Sequence, residues 1–483
     1  MSRILIFRLG GPLLAGIVFL LLRHHGVGPA IMAGIVAWMA IWWISEAVPL
    51  PVTSILPLVL FPLTGIGSVA DTANNYAREI IFLFLGGFII ALGIEKSGAH
   101  RRIALKIVSW IGGSPSRIVL GMVVACAVLS MWINSTAAAL VMLPIALSLL
   151  DDEQAPAEVR KRMTIPLLLA VAYGATIGGM ATPVGTPPNL ILLEFLRALP
   201  QASTIGFAEW MTFGVPIAAI YMAIAWFLLT RVVFNVGTAS LGDQENVRQR
   251  AIALGAPRKE EIRALIIFGL VALAWITGDD LKINEATTIR GWRSLTGITA
   301  LTDAAIAVAG AIVLFIIPSG SREPDRSCLM SWGFAEGRVP WGVLLLLGGG
   351  FALAYGVDKS GLSEIIGESM AGLRSLPPVI LIGAVVLIVS AMSELGSNSA
   401  TASLIIPLVA SMAAKWGMDP HSLLIPAVLA ASIGFMLPVA SPMQTIVFGS
   451  GRIPIRQMVR CGIWMDLAGV ILLAIAFGVL DRI

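Results

Sequence analysis

The chain has 483 residues, 57% of them hydrophobic and only 12% charged. A soluble domain carries about 25% charged residues, so most of this surface meets lipid. The net charge of +4 does not mark a nucleic-acid binder, because the basic residues are spread over loops between apolar stretches, where the positive-inside rule puts them.

In chain order, the first apolar run, 4–22, has no convincing small-residue cleavage site and reads as a retained span. Spans are predicted near 29–48, 53–69 and 79–96, followed by a basic amphipathic stretch with His100, Arg101, Arg102 and Lys106. Segment 117–150 is apolar but interrupted by Asn134-Ser135-Thr136. Each arm is too short to cross as a helix rising about 1.5 Å per residue, so a re-entrant hairpin with its polar tip inside the protein is predicted. A charged loop at 151–163 leads to a span at 164–198, broken at Thr182-Pro183-Val184-Gly185-Thr186-Pro187-Pro188, and then to a span at 207–230. The polar segment 231–262 reads as a cytoplasmic amphipathic linker. Beyond it come spans near 263–278, 299–317 and 340–357, an amphipathic stretch at 358–374, and a second hairpin at 378–415 broken at Ser397-Asn398-Ser399. A broken span at 421–451 and a last span at 457–480 complete the chain. The expected organisation is an N-terminal span (1–28), a first repeat (29–230), the linker, and a second repeat (263–483). This is an all-α polytopic membrane protein of about 11 transmembrane spans, with two re-entrant hairpins and two broken helices.

The repeat is legible in the landmarks. Gly86-Gly87-Phe88, Lys96-Ser97-Gly98, Asn134-Ser135-Thr136 and Leu143-Pro144 return 263 residues later as Gly349-Gly350-Phe351, Lys359-Ser360-Gly361, Ser397-Asn398-Ser399 and Ile406-Pro407. Pro183-Val184-Gly185-Thr186-Pro187 returns as Pro438-Val439-Ala440-Ser441-Pro442 with an offset of 255. The eight missing residues are assigned to a shorter second copy of the loop near 151–163. A duplicated apolar chain with polar breaks at matching points is the mark of a secondary transporter. With a cytoplasmic N-terminus, the basic loops 97–117, 151–163, 231–262, 318–338 and the one bearing Arg452, Arg456 and Arg460 all fall inside. An odd number of spans per unit then inverts the second repeat, and the two tips meet near the midplane.

At each tip the chain stops being helical, and N–H groups of the next arm lose their intrahelical partners. With a helix dipole behind them they suit an anion, while freed carbonyls suit a small hard cation such as Na+. No phosphate loop, catalytic triad or zinc motif marks an enzyme. Three cysteines (Cys126, Cys328, Cys461) and four histidines (His24, His25, His100, His421) lack metal-ligand spacing. Glu394, one turn before the second tip, is an intramembrane carboxylate with two readings: it holds a cation or proton, or it caps the tip. The second is preferred, since the first unit has no acid there. Glu46 and Asp466 read as residues that end or brace helices, and Gly86-Gly87 and Gly348-Gly349-Gly350 as close helix contacts.

Met131-Trp132-Ile133-Asn134-Ser135-Thr136, Glu394-Leu395-Gly396-Ser397-Asn398-Ser399, Trp42-Trp43-Ile44-Ser45-Glu46-Ala47-Val48-Pro49 and the run from Ala431 to Pro442, continuing to Ile446-Val447-Phe448-Gly449-Ser450-Gly451, together resemble the divalent anion:Na+ symporters, the family of dicarboxylate, citrate and sulfate transporters. The resemblance covers nearly the whole chain. It implies Na+-coupled transport of a small di- or tricarboxylate by a homodimer whose hairpins and broken spans move like an elevator against a scaffold. It implies one cation site from Ser130, Asn134, Ser135 and the Gly185 carbonyl, and another from Ser393, Asn398 and the Ala440 carbonyl. Substrate oxygens would meet Asn134, Ser135, Thr136, Thr186, Ser397, Asn398, Ser399 and Pro442. The implied location is the plasma (inner) membrane. Three departures stand out: Asn and Ser are swapped in the first tip, Ser399 ends the second where Thr is usual, and Met443-Gln444 replaces the Pro-Asn kept at Pro188-Asn189. The swap is expected to turn preference away from the common C4-dicarboxylate. A Na+-independent exchanger, a transporter of sulfate or another oxyanion, and an ion channel remain as alternative readings.

Overall fold

The computed structural model describes residues 2–111, 114–151, 157–198, 204–237, 252, 254–284, 287–320, 327–369 and 376–479. Among these, nine helices are long and apolar enough to cross a membrane, from Leu5–His25 to Ile455–Gly478. Both arms of the second hairpin, Pro378–Leu395 and Asn398–Trp416, count among the nine, while the arms of the first, Pro115–Ser130 and Ser135–Leu150, are shorter. Within the predicted linker, residues 238–251 and 253 lie outside the described residues. The helix after it, Lys259–Ile276, begins earlier than expected, because Glu261 is buried against Arg102, 2.6 Å away.

The predicted span at 53–69 is not one helix. It forms Leu50–Ser54 and Pro57–Thr64, since Pro57 lacks the N–H that would continue the first. The loop between Ile276 and Asp303 carries a two-stranded antiparallel ribbon, Leu281–Asn284 with Thr287–Ile289, which the sequence reading did not foresee.

The eight-residue difference between repeats is not confined to the polar loop. The offset is 260 at Pro166 and Pro426, and 255 at Pro183 and Pro438. Ala175 and Ala431, whose carbonyls accept equivalent serine hydroxyls, stand 256 apart. Much of the deletion is therefore about one helical turn inside the first half of the broken helix, Ala157–Met180 in one unit and Pro420–Ala430 in the other.

Glu79–Ser97 ends where Trp341–Lys359 begins: Arg338, just before the second, pairs with Glu95 near the end of the first at 2.8 Å. Their packing is reciprocal, with Glu79–Ser97 against Asp303–Ile316 and Trp341–Lys359 against Leu50–Ser54. Glycines permit the approach. A Cβ on Gly86 would lie 2.5 Å from the Ala307 carbonyl carbon, and one on Gly349 the same distance from the Ser54 carbonyl oxygen. Gly348 and Gly350 are equally tight against Tyr76 and Ser403, but Gly87 faces open space and is no helix contact. Small residues at interfaces are the usual device for close packing of membrane helices. A contact of this kind also joins the first hairpin to its broken helix, where a Cβ on Gly178 would sit 2.4 Å from Ala127 Cα. Backbone cannot yield as a flexible side chain does, so Gly178→Val is expected to cost at least about 1–3 kcal/mol, read as a lower thermal midpoint of the purified protein.

Candidate functional site

Each tip is built by a capped restart of helix. Ser130 ends the first arm, and the chain turns through Met131–Ile133. Asn134 then caps the second arm, its Oδ1 accepting the Thr136 N–H at 2.8 Å. The opposing break is held by an amide: Asn189 Nδ2 donates to the carbonyls of Gly179 (3.0 Å) and Thr182 (2.8 Å). Thr182 Oγ1 donates to the Met131 carbonyl, tying break to tip.

Beside the first tip, oxygens converge. Ser130 Oγ lies 2.7 Å from Ser135 Oγ and donates to the Ala175 carbonyl at 2.5 Å, and Ser135 Oγ lies 3.2 Å from the Gly185 carbonyl. The second unit repeats this arrangement. Ser393 Oγ lies 2.9 Å from Asn398 Oδ1 and 2.6 Å from the Ala431 carbonyl, and the Asn398 amide lies 3.0 Å from the Ala440 carbonyl. Ser135 and Asn398 thus occupy equivalent places, as do Gly185 and Ala440.

Of the residues implied by the resemblance, Ser130, Ser135 and Gly185 come together, as do Ser393, Asn398 and Ala440. Asn134 bonds instead along its own tip. Beside it a narrow cleft is walled by Phe84, Gly87, Phe88, Trp132, Phe268 and Trp275, which explains why Gly87 has no helix against it. Thr186 and Ser399 are buried, Asn134, Thr136 and Ser397 half-buried, and Pro442 exposed. The halves touch at Thr136 Oγ1, 3.8 Å from Met443 Sδ. The packing again crosses over: Ser135–Leu150 lies on Pro442–Phe448, and Asn398–Trp416 on Pro187–Ala198.

The Met443-Gln444 departure preserves the geometry. Gln444 stands 255 residues after Asn189, and its Nε2 donates to the Gly434 carbonyl at 3.2 Å, the counterpart of Gly179. Its longer stem reaches the same target. The Ala175 and Ala431 carbonyls escaped sequence reasoning, because a backbone oxygen carries no residue-type signal.

Glu394 is structural in its bonding, but it does not cap its own tip. Its Oε1 accepts the Met436 N–H at 2.7 Å and its Oε2 the Leu437 N–H at 2.9 Å, on the unwound stretch of the neighbouring broken helix. Asp466 accepts the next N–H, of Phe435, at 3.2 Å. Two buried carboxylates from two helices therefore hold three consecutive donors that no helix satisfies. Outside the spans, the Arg452 guanidinium, 2.8 Å away, holds the Asp151 carboxyl below its usual range. It links the end of the first hairpin to the loop after the second broken helix.

Paired hairpins facing paired broken helices, with oxygens gathered at each meeting, define the class: a polytopic helical transporter. Two solved structures share the fold at 15% identity and a TM-score of 0.57. The YdaH transporter of Alcanivorax borkumensis matches over 85% of this chain and 87% of its own. MtrF of Neisseria gonorrhoeae, described among antimetabolite efflux pumps, matches over 84% and 83%. The chain belongs to the sodium:sulfate symporter family, whose transmembrane region matches residues 13–480. Among its relatives are two proteins named sodium-dependent dicarboxylate transporter SdcS. That of Staphylococcus saprophyticus is 35% identical over 96% of this chain and 89% of its own. That of Staphylococcus aureus is 38% identical over 91% and 83%.

Proposed function

We propose that this protein is a Na+-coupled secondary transporter of a small dicarboxylate, working by an elevator motion and catalysing no covalent chemistry. The observation that carries the reading is the pair of equivalent oxygen clusters, Ser130–Ser135–Gly185 and Ser393–Asn398–Ala440, one at each tip. Neutral hydroxyls, one amide and backbone carbonyls suit a monovalent alkali cation. Among the described residues no group of three or more His, Cys, Asp or Glu offers a transition-metal site. Asn134, Thr136, Ser397 and Ser399, beside these clusters, are the donors for a dianion. Neutral donors favour alternating access, because a buried Arg would burden the return of the unloaded carrier. The names of the SdcS relatives favour a dicarboxylate over sulfate, so the swapped first tip is not by itself a reason to set succinate aside.

The meeting of the end of Glu79–Ser97 with the start of Trp341–Lys359 and the crossed packing support an inverted repeat. Contacts also gather the predicted cytoplasmic loops at shared ends. Arg102 joins Glu261 at 2.6 Å, Arg338 joins Glu95 at 2.8 Å, and Asp151 joins Arg452 at 2.8 Å, which supports one shared side for these basic loops, the side the positive-inside rule makes cytoplasmic; the plasma membrane rests on the family resemblance. The moving body would comprise the hairpins and broken helices. Its contact with the scaffold beside the first tip is apolar, with Trp132 against Phe207 and Phe268, so sliding there breaks few hydrogen bonds. The homodimer rests on the family resemblance.

The test is radiolabelled succinate uptake into proteoliposomes with and without an inward Na+ gradient, competed by citrate, tartrate and sulfate. Uptake that requires Na+ is the expected result. Uptake that persists without Na+ but needs an internal anion would make the protein an exchanger.

A further inference from the structure

Away from the tips, an apolar groove on the outer surface runs into a patch of positive charge. Phe207–Phe227 and Ile455–Gly478 pack on each other. Between them lies a groove of about 570 Å³ whose walls include Ile220, Ile224, Phe227, Trp464, Leu467 and Ile471, with Phe227 and Trp464 about half exposed. Arg460 and Arg456 stand four and eight residues before Trp464, one and two turns along the same helix face. Arg231 lies three residues beyond the wall residue Leu228. It sits in the π-helical turn Leu228–Val232, which itself packs on Ile455–Gly478. The three arginines therefore gather at one end of the groove. All are exposed, and among the described residues none makes an ion pair or hydrogen bond. The nearby Arg452, in contrast, is taken up by Asp151 at 2.8 Å. The acids of these two helices lie elsewhere: Asp466 turns inward to the Phe435 N–H, and Glu209 sits in the first turn at the far end.

We propose that this groove binds an anionic phospholipid, its phosphate held by Arg231, Arg456 and Arg460 and one acyl chain laid along Phe227, Trp464 and Ile471. Guanidinium groups match phosphate oxygens in a fork geometry, and basic pockets between spans suit anionic headgroups. Charge decides among the occupants. A zwitterionic lipid carries its own cation and leaves the three arginines unneutralised. A second copy of the chain, in a two-fold interface, would set this patch against itself, guanidinium facing guanidinium with no acid between. The lipid would clasp one helix from each repeat. Phe207–Phe227 packs on the broken helix arm Ala157–Met180, and Ile455–Gly478 on the hairpin arm Pro378–Leu395. The inference needs the membrane-spanning fold but not the transport reading.

The test uses the full-length protein in phosphatidylcholine vesicles, titrated with phosphatidylglycerol or phosphatidylcholine brominated on the acyl chains. Bromine quenches a tryptophan that it touches, and subtracting the signal of W464F isolates Trp464 among the 13 tryptophans. Brominated phosphatidylglycerol is expected to quench Trp464 at a lipid fraction about 5-fold or more below that needed for brominated phosphatidylcholine, at least the gain from one arginine beside an anionic headgroup. R231Q/R456Q/R460Q should bring that ratio to about one. R460Q alone should lower it partway, and it decides the matter if the triple variant does not fold. Because the three side chains are exposed and unpaired, both variants should melt near the wild-type temperature in phosphatidylcholine. Equal quenching by the two lipids in the wild type would overturn the proposal, since the groove would then take any acyl chain. So would a preference undiminished in the folded variants. A Trp464 that neither lipid quenches would overturn it too, and would give the groove to a second copy of the chain. No transport is measured, so failure here leaves the functional reading untouched.

Discussion

Truncating Glu394 to Ala is expected to abolish uptake and to lower stability more than any single change among the hydroxyls of the tips. The side chain is 3% exposed, and its two oxygens take the N–H groups of Met436 and Leu437. Each N–H, left without an acceptor, costs about 1–3 kcal/mol, and neither bilayer nor packed helix offers a substitute. The functional effect follows from position. Ala440, whose carbonyl belongs to the second oxygen cluster, lies three residues beyond Leu437, and Ala431, whose carbonyl also belongs, lies five before Met436. The released stretch runs between them. Glu394→Gln keeps one acceptor but aims an NH2 group at the other N–H, so it should fall between Ala and wild type in both uptake and thermal midpoint. Asp466→Ala, which frees only the Phe435 N–H, should be milder than Glu394→Ala. Uptake by Glu394→Ala at the wild-type rate would show that the broken helix holds its shape unaided.

Much of this arrangement was legible because duplication exposes itself twice. Asn134-Ser135-Thr136 alone is an ordinary polar triplet. Its return as Ser397-Asn398-Ser399, beside matched Pro-Val-Gly and Pro-Val-Ala breaks, located both tips and both broken helices. Side-chain chemistry was also readable: Ser130 with Ser135 and Ser393 with Asn398 stand one turn and a residue apart, across each tip. Other features left no trace in residue type. The Ala175 and Ala431 carbonyls face their clusters by fold alone. The turn deleted from the second broken helix lies in a uniformly apolar run, where loss of four residues leaves the composition unchanged. Gln444 looked like a departure from Asn189 until both amides were seen to reach equivalent carbonyls. Glu394 was recognised as structural, but its partners lie 42 and 43 residues away in sequence, beyond any local pattern. The run 53–69 read as one span because hydropathy does not register that Pro57 starts a new helix.

Asn134 carries the second large effect, and its variants separate two roles the residue combines. It caps the second arm of the first hairpin through the Thr136 N–H, and it lies half-buried at the tip where the anion is proposed to bind. Asn134→Ala removes both, with a stability loss of about 0.5–2 kcal/mol from the cap and uptake reduced to background. Asn134→Asp keeps the cap, since Asp and Asn are comparable N-cap residues, and should melt near the wild-type temperature. Yet it sets a negative charge beside a dianion in a partly buried site, where like charges repel far more strongly than in water. Uptake by Asn134→Asp should therefore be as low as that of Asn134→Ala. Asn134→Ser restores the cap and one donor without the charge, and should recover part of the uptake in the same proteoliposome assay. If Asn134→Asp instead transports succinate like the wild type, Asn134 does no more than start a helix, and the anion's donors at the first tip must be sought at Thr136 and the exposed N–H groups that follow it.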